Sequence, residues 1–112
     1  MTPDDKRKSA RIPVQLTVRF RKENNDYQGT ALNLSNDGMF LKSSQLLGDN
    51  DRIDVLLQLT DSRQLSIPAR VIWGQWVEGV GTPTAGMGIQ FELETQSEKD
   101  ELNRFISHLL NA

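Results

Sequence analysis

Val14, Leu16, Val18 and Phe20 take every second place in the stretch VQLTVRF, with Gln15, Thr17 and Arg19 between them. That period of two is the signature of a strand with one buried face. It recurs along most of the chain. Tyr27–Leu34 reads as a second strand after the polar turn RKENND, and MFLKS (39–43) as a short third after SNDG. Ile53, Val55, Leu57 and Leu59 share one face of a fourth, and Leu65, Ile67, Ala69, Val71 and Trp73 one face of a fifth. Met87, Ile89, Phe91 and Leu93 make a sixth, after the loop VEGVGTPTAG. Pro68 interrupts the fifth run, so an edge position or a bulge is expected there.

The period then changes. Leu102, Phe105, Ile106, Leu109 and Leu110 follow the spacing of an amphipathic helix. Ser97 and Asp100 are placed as a capping pair at its start. Six short strands and one helix predict a mostly β fold, a six-stranded antiparallel barrel with a C-terminal α-helix. Closure removes the open edges that invite aggregation. At 112 residues the chain is one domain. Residues 1–13 are expected to form a flexible basic arm, and residues 14–112 the barrel with its helix.

Charge is unevenly spread. Residues 1–22 hold seven Lys/Arg against two Asp, a net of +5, whereas the remainder holds six against thirteen acids, a net of −7. The acidic body argues against DNA binding, which needs a broad basic face. A barrel reading single-stranded nucleic acid would need several exposed aromatics, and many of the seven here fall on core-facing positions. A compact anion bound at the basic end fits the distribution better. With no cysteine, disulfides and thiolate metal sites are excluded. No apolar run reaches the roughly 20 residues of a membrane span, and the charged N-terminus lacks the apolar segment of a signal peptide. The expectation is a cytoplasmic protein without membrane insertion, monomeric or weakly dimeric.

Two polar segments are not explained by folding alone. One is Arg7-Lys-Ser-Ala-Arg11, two arginines four apart. The other is Asn33-Leu-Ser-Asn-Asp-Gly38. With Leu32 and Leu34 directed at the core, Asn33 and Ser35 are expected side by side on the outer face. Gly38 is available for a positive-φ turn. An ordinary hairpin turn would also account for this stretch.

Together, in this order, the two segments resemble the PilZ domain family, whose pattern is RxxxR followed by D/NxSxxG. Gly86–Phe91, GMGIQF, is similar to the family's glycine-containing late strand. The resemblance spans arm, barrel and helix. It implies a receptor for cyclic di-GMP, with Arg7, Arg11, Asn33, Ser35 and Gly38 as ligand-binding residues, no metal, no cofactor and no catalytic residue. Arginine can fork onto phosphate oxygens or guanine O6 and N7, and an amide or hydroxyl can meet a base edge. Gly38 would shape the turn and leave room for the base. The resemblance further implies that the arm is loose without ligand and wraps it when bound. It associates a basic residue at Lys6 with an intercalated ligand pair, and Lys8 is a further candidate contact. A ligand-independent adaptor acting by protein contact is the family alternative, although such members usually lack these residues. With no output domain on the chain, the signal is expected to leave through an unidentified protein partner.

Trp73 has two readings. Its register with Val71 assigns it to the core, while an aromatic face so placed could stack on guanine. Trp76 is expected to pack on a loop or meet a partner. The remaining signals are discounted. His108 has no nucleophile or carboxylate partner in the pattern. Asp49, Asp51 and Asp54 lack calcium-loop spacing. GVGTPTAG has no following Gly-Lys-Ser/Thr, and the Asn33-Leu-Ser35 sequon has no relevance in a cytoplasmic protein.

Overall fold

The computed structural model describes residues 11–58, 62–77 and 84–110. Six strands, β1 (Ile12–Lys22), β2 (Asn25–Leu34), β3 (Gly38–Ser43), β4 (Arg52–Gln58), β5 (Gln64–Val77) and β6 (Thr84–Phe91), precede one helix, α1 (Gln96–Leu110). The strands close a barrel in the order β1-β2-β3-β6-β5-β4, all neighbours antiparallel. Pairing of Arg19, Phe20 and Arg21 with Leu56, Val55 and Asp54 seals the seam.

The alternation works as expected along β1, β4 and β6. Phe20, Val55, Ile67, Val71 and Met87 are fully buried in the core. Leu102 of α1 is fully buried in the same cluster, with Phe105, Ile106 and Leu109 packed against it. That burial holds the helix on the barrel, as apolar area removed from water is the main favourable term in folding.

Several boundaries differ from the sequence expectation. β1 begins at Ile12, so Ile12 and Pro13 are already paired with Leu34 and Asn33 rather than belonging to a loose arm. β6 begins at Thr84, inside the expected loop, because Thr84 and Ala85 pair with Val77 and Trp76 of β5. The helix cap is Thr95 with Glu98, not Ser97 with Asp100. Thr95 Oγ1 accepts from the Glu98 amide at 3.1 Å, and Glu98 Oε1 accepts from the Thr95 amide at 3.0 Å. This is a reciprocal capping box. The two amides of Glu94 and Thr95 hold the Glu98 carboxyl below its ordinary range.

Pro68 sits at neither an edge nor a bulge. It pairs with Asp54 on the β4 side, and its carbonyl accepts from the Glu92 amide where β6 has just ended. A missing amide donor costs little at that margin. Register shifts lie elsewhere, between Pro13 and Leu16 against β2, between Ala31 and Asn33 against β3 and between Val71 and Trp73 against β6. Extra residues at such points bend and twist a strand, which a closed barrel requires.

Candidate functional site

The bulges of β2 and β5 each turn a pair of neighbouring residues toward the outside. In β2, Ala31 and Leu34 are buried, and Leu32 and Asn33 between them are not. Leu32 lines an outer trough, contrary to its expected place beside Leu34. In β5, Val71 is buried and Gly74 approaches Leu46 and Met87, leaving Ile72 and Trp73 at 45% and 43% exposure. The core assignment of Trp73 is therefore overturned. The extra residue shifts the alternation by one, and Gly74 takes the inward place.

Trp73 stands over the glycine opposite it. A Cβ on Gly88 would lie 2.3 Å from the indole Nε1, so only a residue without a side chain permits this seat. Phe40 flanks the indole with ring centroids 5.6 Å apart. The indole is thus supported from below and on one side, with a face left in solvent. Trp76, also on β5, is half exposed and lies opposite buried Ala85.

Arg11 reaches the same face from the start of β1. Its Nη1 donates to Asn33 Oδ1 at 3.0 Å. The Phe40 amide donates to the same oxygen, also at 3.0 Å. The bulge has skewed the ladder there, and the side-chain oxygen of Asn33 supplies the acceptor that the Phe40 N–H needs. Because both partners are donors, the oxygen of the amide must face them, and Asn33 Nδ2 is directed away from them.

Ser35 is not beside Asn33 on the outer face. It is fully buried beneath the turn that follows β2. Its backbone amide donates to the Gly38 carbonyl at 2.9 Å, and its hydroxyl donates to Asp37 Oδ1 at 2.5 Å. The Asp37 amide in turn donates to Ser35 Oγ at 3.3 Å, and the Asp37 carbonyl accepts from Phe91 at 2.9 Å. Ser35 therefore shapes the turn and aims Asp37. Gly38 is not in the positive-φ region expected of it. Its requirement is close approach, since a Cβ would lie 2.2 Å from the Ile89 carbonyl oxygen. The room it leaves is filled by β6.

These pieces meet around a cavity of about 270 Å³ lined by Arg11, Asp37, Ile72, Trp73, Gly88 and Gln90, with Ile89. It offers an aromatic plane, a guanidinium held on a neutral amide, and a carboxylate fixed by a serine. Asp37, Ile72, Gly88 and Gln90 escaped sequence reading. Asp37 sat in a stretch legible as a turn, and the small-residue pattern of GMGIQF was the one signal that a bulky group lies across from Gly88. Arg7, Lys6 and Lys8 lie outside the described residues. Among the described residues there is no cluster of three or more His, Cys, Asp or Glu able to hold a metal ion, and no helix long and apolar enough to cross a membrane. Asp51 is engaged otherwise. It pairs with Lys22 at 2.8 Å and accepts from the Gly48 amide, and the Lys22 bond first of all lowers its carboxyl pKa.

The PilZ domain family model matches residues 5–108. The chain belongs to the PilZ domain family. Solved structures share the fold. The PilZ domain with c-di-GMP of YcgR from Escherichia coli superposes with a TM-score of 0.77 at 17% identity, covering 94% of this chain and 92% of that one. The PilZ domain of CeSA from a cellulose synthesizing bacterium gives 0.68 at 22% identity, covering 90% and 98%. A tetrameric PilZ domain from Xanthomonas campestris, self-assembled via an unusual helical bundle, gives 0.59 at 23% identity, covering 80% and 49%. No curated protein matches the chain by sequence. In this PilZ domain the first motif's second arginine lines the cavity and the second motif's asparagine holds that arginine, while Ser35 and Gly38 stand behind.

Proposed function

We propose that this PilZ domain is a receptor for cyclic di-GMP, a binding module whose output is a contact with another protein. The observation that carries the reading is the pairing of Arg11, held on Asn33, with the open face of Trp73 around one cavity. A cyclic dinucleotide brings two purines and two phosphates. Trp73 offers a plane on which a guanine stacks. Arg11 offers a fork for a phosphate or for the O6 and N7 edge of guanine. Asn33 Nδ2, turned away from its two donors, suits an acceptor on the ligand. Ser35 and Gly38 act from beneath, by fixing the turn that carries Asp37.

Arg7, with Lys6 and Lys8, belongs to this proposal as the part of the arm that closes over the ligand. Its basic, polar composition supports ordering on binding, in which ligand contacts offset the lost chain entropy. The ordered arm then presents a new surface to a partner protein. The E. coli relative with c-di-GMP supports the ligand class.

The test is calorimetric titration of cyclic di-GMP, with GTP and the Arg11→Ala variant as controls. Micromolar or tighter binding, selective over GTP and weakened by about 1.5–3 kcal/mol in the variant, is expected for loss of a charge-assisted hydrogen bond. Absence of binding by the folded wild-type chain overturns the proposal.

A further inference from the structure

Beyond the far wall of the cavity runs a row of side chains set by the barrel's register. Gly38 of β3 pairs with Gln90 of β6, Gln90 with Arg70 of β5, and Arg70 with Arg52 of β4. Ala69 and Val71 are buried, so Arg70 between them stands on the outer face, as Gln90 and Arg52 do. Gln90 lines the cavity. Arg70 follows one strand further on and Arg52 two, at about 4.8 Å per strand.

Two arginines directly opposite one another are an unfavourable cross-strand pair. One acid answers them. Arg70 Nη2 meets Glu92 Oε2 at 3.0 Å, and Arg52 has no ion-pair partner among the described residues. Arg70 Nε is moreover buried without an acceptor among the described residues. A buried donor left unpaired costs free energy. That Nε does not face solvent, but the Arg70 side chain is 31% exposed beyond it and can still offer a guanidinium N–H to an anion. The row is therefore cationic and underused, in a chain of net charge −2.

We infer that Arg70, with Arg52 behind it, is a second anion-binding position on the far side of the cavity from Arg11, and that it takes a phosphodiester. The inference rests on the cyclic dinucleotide reading above. The phosphodiester comes from the same ligand molecule, spanning from Arg11 to Arg70, or from a second copy stacked on the first. Glu92 is the internal competitor, because its carboxylate holds Arg70 until the phosphodiester replaces it.

The experiment is titration of cyclic di-GMP into the wild type and the Arg70→Gln, Arg52→Gln and Glu92→Gln variants, each first checked for native folding by circular dichroism and thermal melting. Expected are roughly tenfold weaker binding for Arg70→Gln, a smaller loss for Arg52→Gln, and tighter binding for Glu92→Gln. The opposite signs for Arg70 and Glu92 separate a ligand contact from a structural ion pair, since breaking the latter from either side acts in the same direction. A lowered affinity at unchanged stoichiometry assigns the phosphodiester to the same molecule, and a fall from two ligands to one assigns it to a second copy. Wild-type binding with unchanged affinity and stoichiometry in Arg70→Gln overturns this inference while leaving the receptor reading intact. No binding by the wild type removes both, and a loss in Glu92→Gln equal to that in Arg70→Gln makes the pair structural and overturns the inference.

Discussion

Two of the concave faces on the outside of this barrel differ in kind, and the larger of the two has fewer of the groups that a nucleotide requires. The trough over β1, β2 and β3 has a volume of about 470 Å³, lined by Gln15, Thr17, Gln28, Thr30 and Lys42 among others. It offers hydroxyls, amides and one cation. The face over β3, β6 and β5 has about 270 Å³, yet it holds an indole seated on a glycine and an arginine oriented by an amide. Size measures how a twisted sheet curves. Recognition of a purine and a phosphate needs a flat apolar plane and a fixed fork, and preorganisation of these lowers the cost of binding.

The sharpest way to break the comparison is to remove the backbone contact behind the smaller face. Gly38→Val would drive a Cβ into the Ile89 carbonyl, 2.2 Å away, and push β3 from β6. We expect a stability loss of about 1–3 kcal/mol or more, the cost of overpacking, together with loss of cyclic di-GMP binding. A thermal melt and a titration both matching the wild type would show that the close approach is not needed.

Next comes the aromatic plane. Trp73→Ala should weaken cyclic di-GMP binding by about 1–3 kcal/mol, the range for a base stacked on an aromatic side chain. Gly88→Val should mimic it by unseating the indole without deleting it. Quenching of Trp73 fluorescence by the ligand, absent in Trp73→Phe, reads the same contact directly. Full affinity in Trp73→Ala would leave the smaller face without its distinguishing feature.

The helix cap gives a smaller effect, on stability alone. Thr95→Ala should cost about 1 kcal/mol, leaving binding unchanged. The Glu98 carboxyl is lowered by the Glu94 and Thr95 amides. A carboxylate with a folded pKa below its unfolded value contributes stability above the ordinary carboxylate range of about 4. That contribution is lost as pH falls through the lowered folded value. Glu98→Gln should flatten the acid limb of the melting-temperature profile. An unaltered acid limb would remove Glu98 from the account.

The smallest expected effect is in the larger trough. Lys42→Ala and Thr30→Val should leave cyclic di-GMP affinity within twofold of wild type. A tenfold loss in either would reverse the ranking of the two faces.

Much of this was legible in the chain itself. Alternation named the buried side of β1, β4 and β6 because a pleated strand allows no other outcome for Val18, Phe20, Val55 or Ile89. The 3.6-residue spacing from Leu102 onward named the helix and its buried stripe for the same kind of reason. The charge imbalance and the paired motifs marked Arg11 and Asn33 before any geometry was known. These are local rules, and local sequence suffices for them.

What the chain alone did not reveal came from closure. A barrel must bend its strands, and here β2 and β5 bend through bulges after Ala31 and Val71. One extra residue reverses every side chain beyond it. That reversal put Leu32 outside, gave the inward place after Val71 to Gly74, and brought Trp73 into the open. It also let Asn33 use its side-chain oxygen for Phe40 and so orient Arg11. Ser35 and Gly38 moved from the surface to the support beneath it for a related reason, since the turn between β2 and β3 is packed against β6, a strand more than 40 residues away in the chain. Strand faces are decided by neighbours in sequence, whereas the site is decided by neighbours in space.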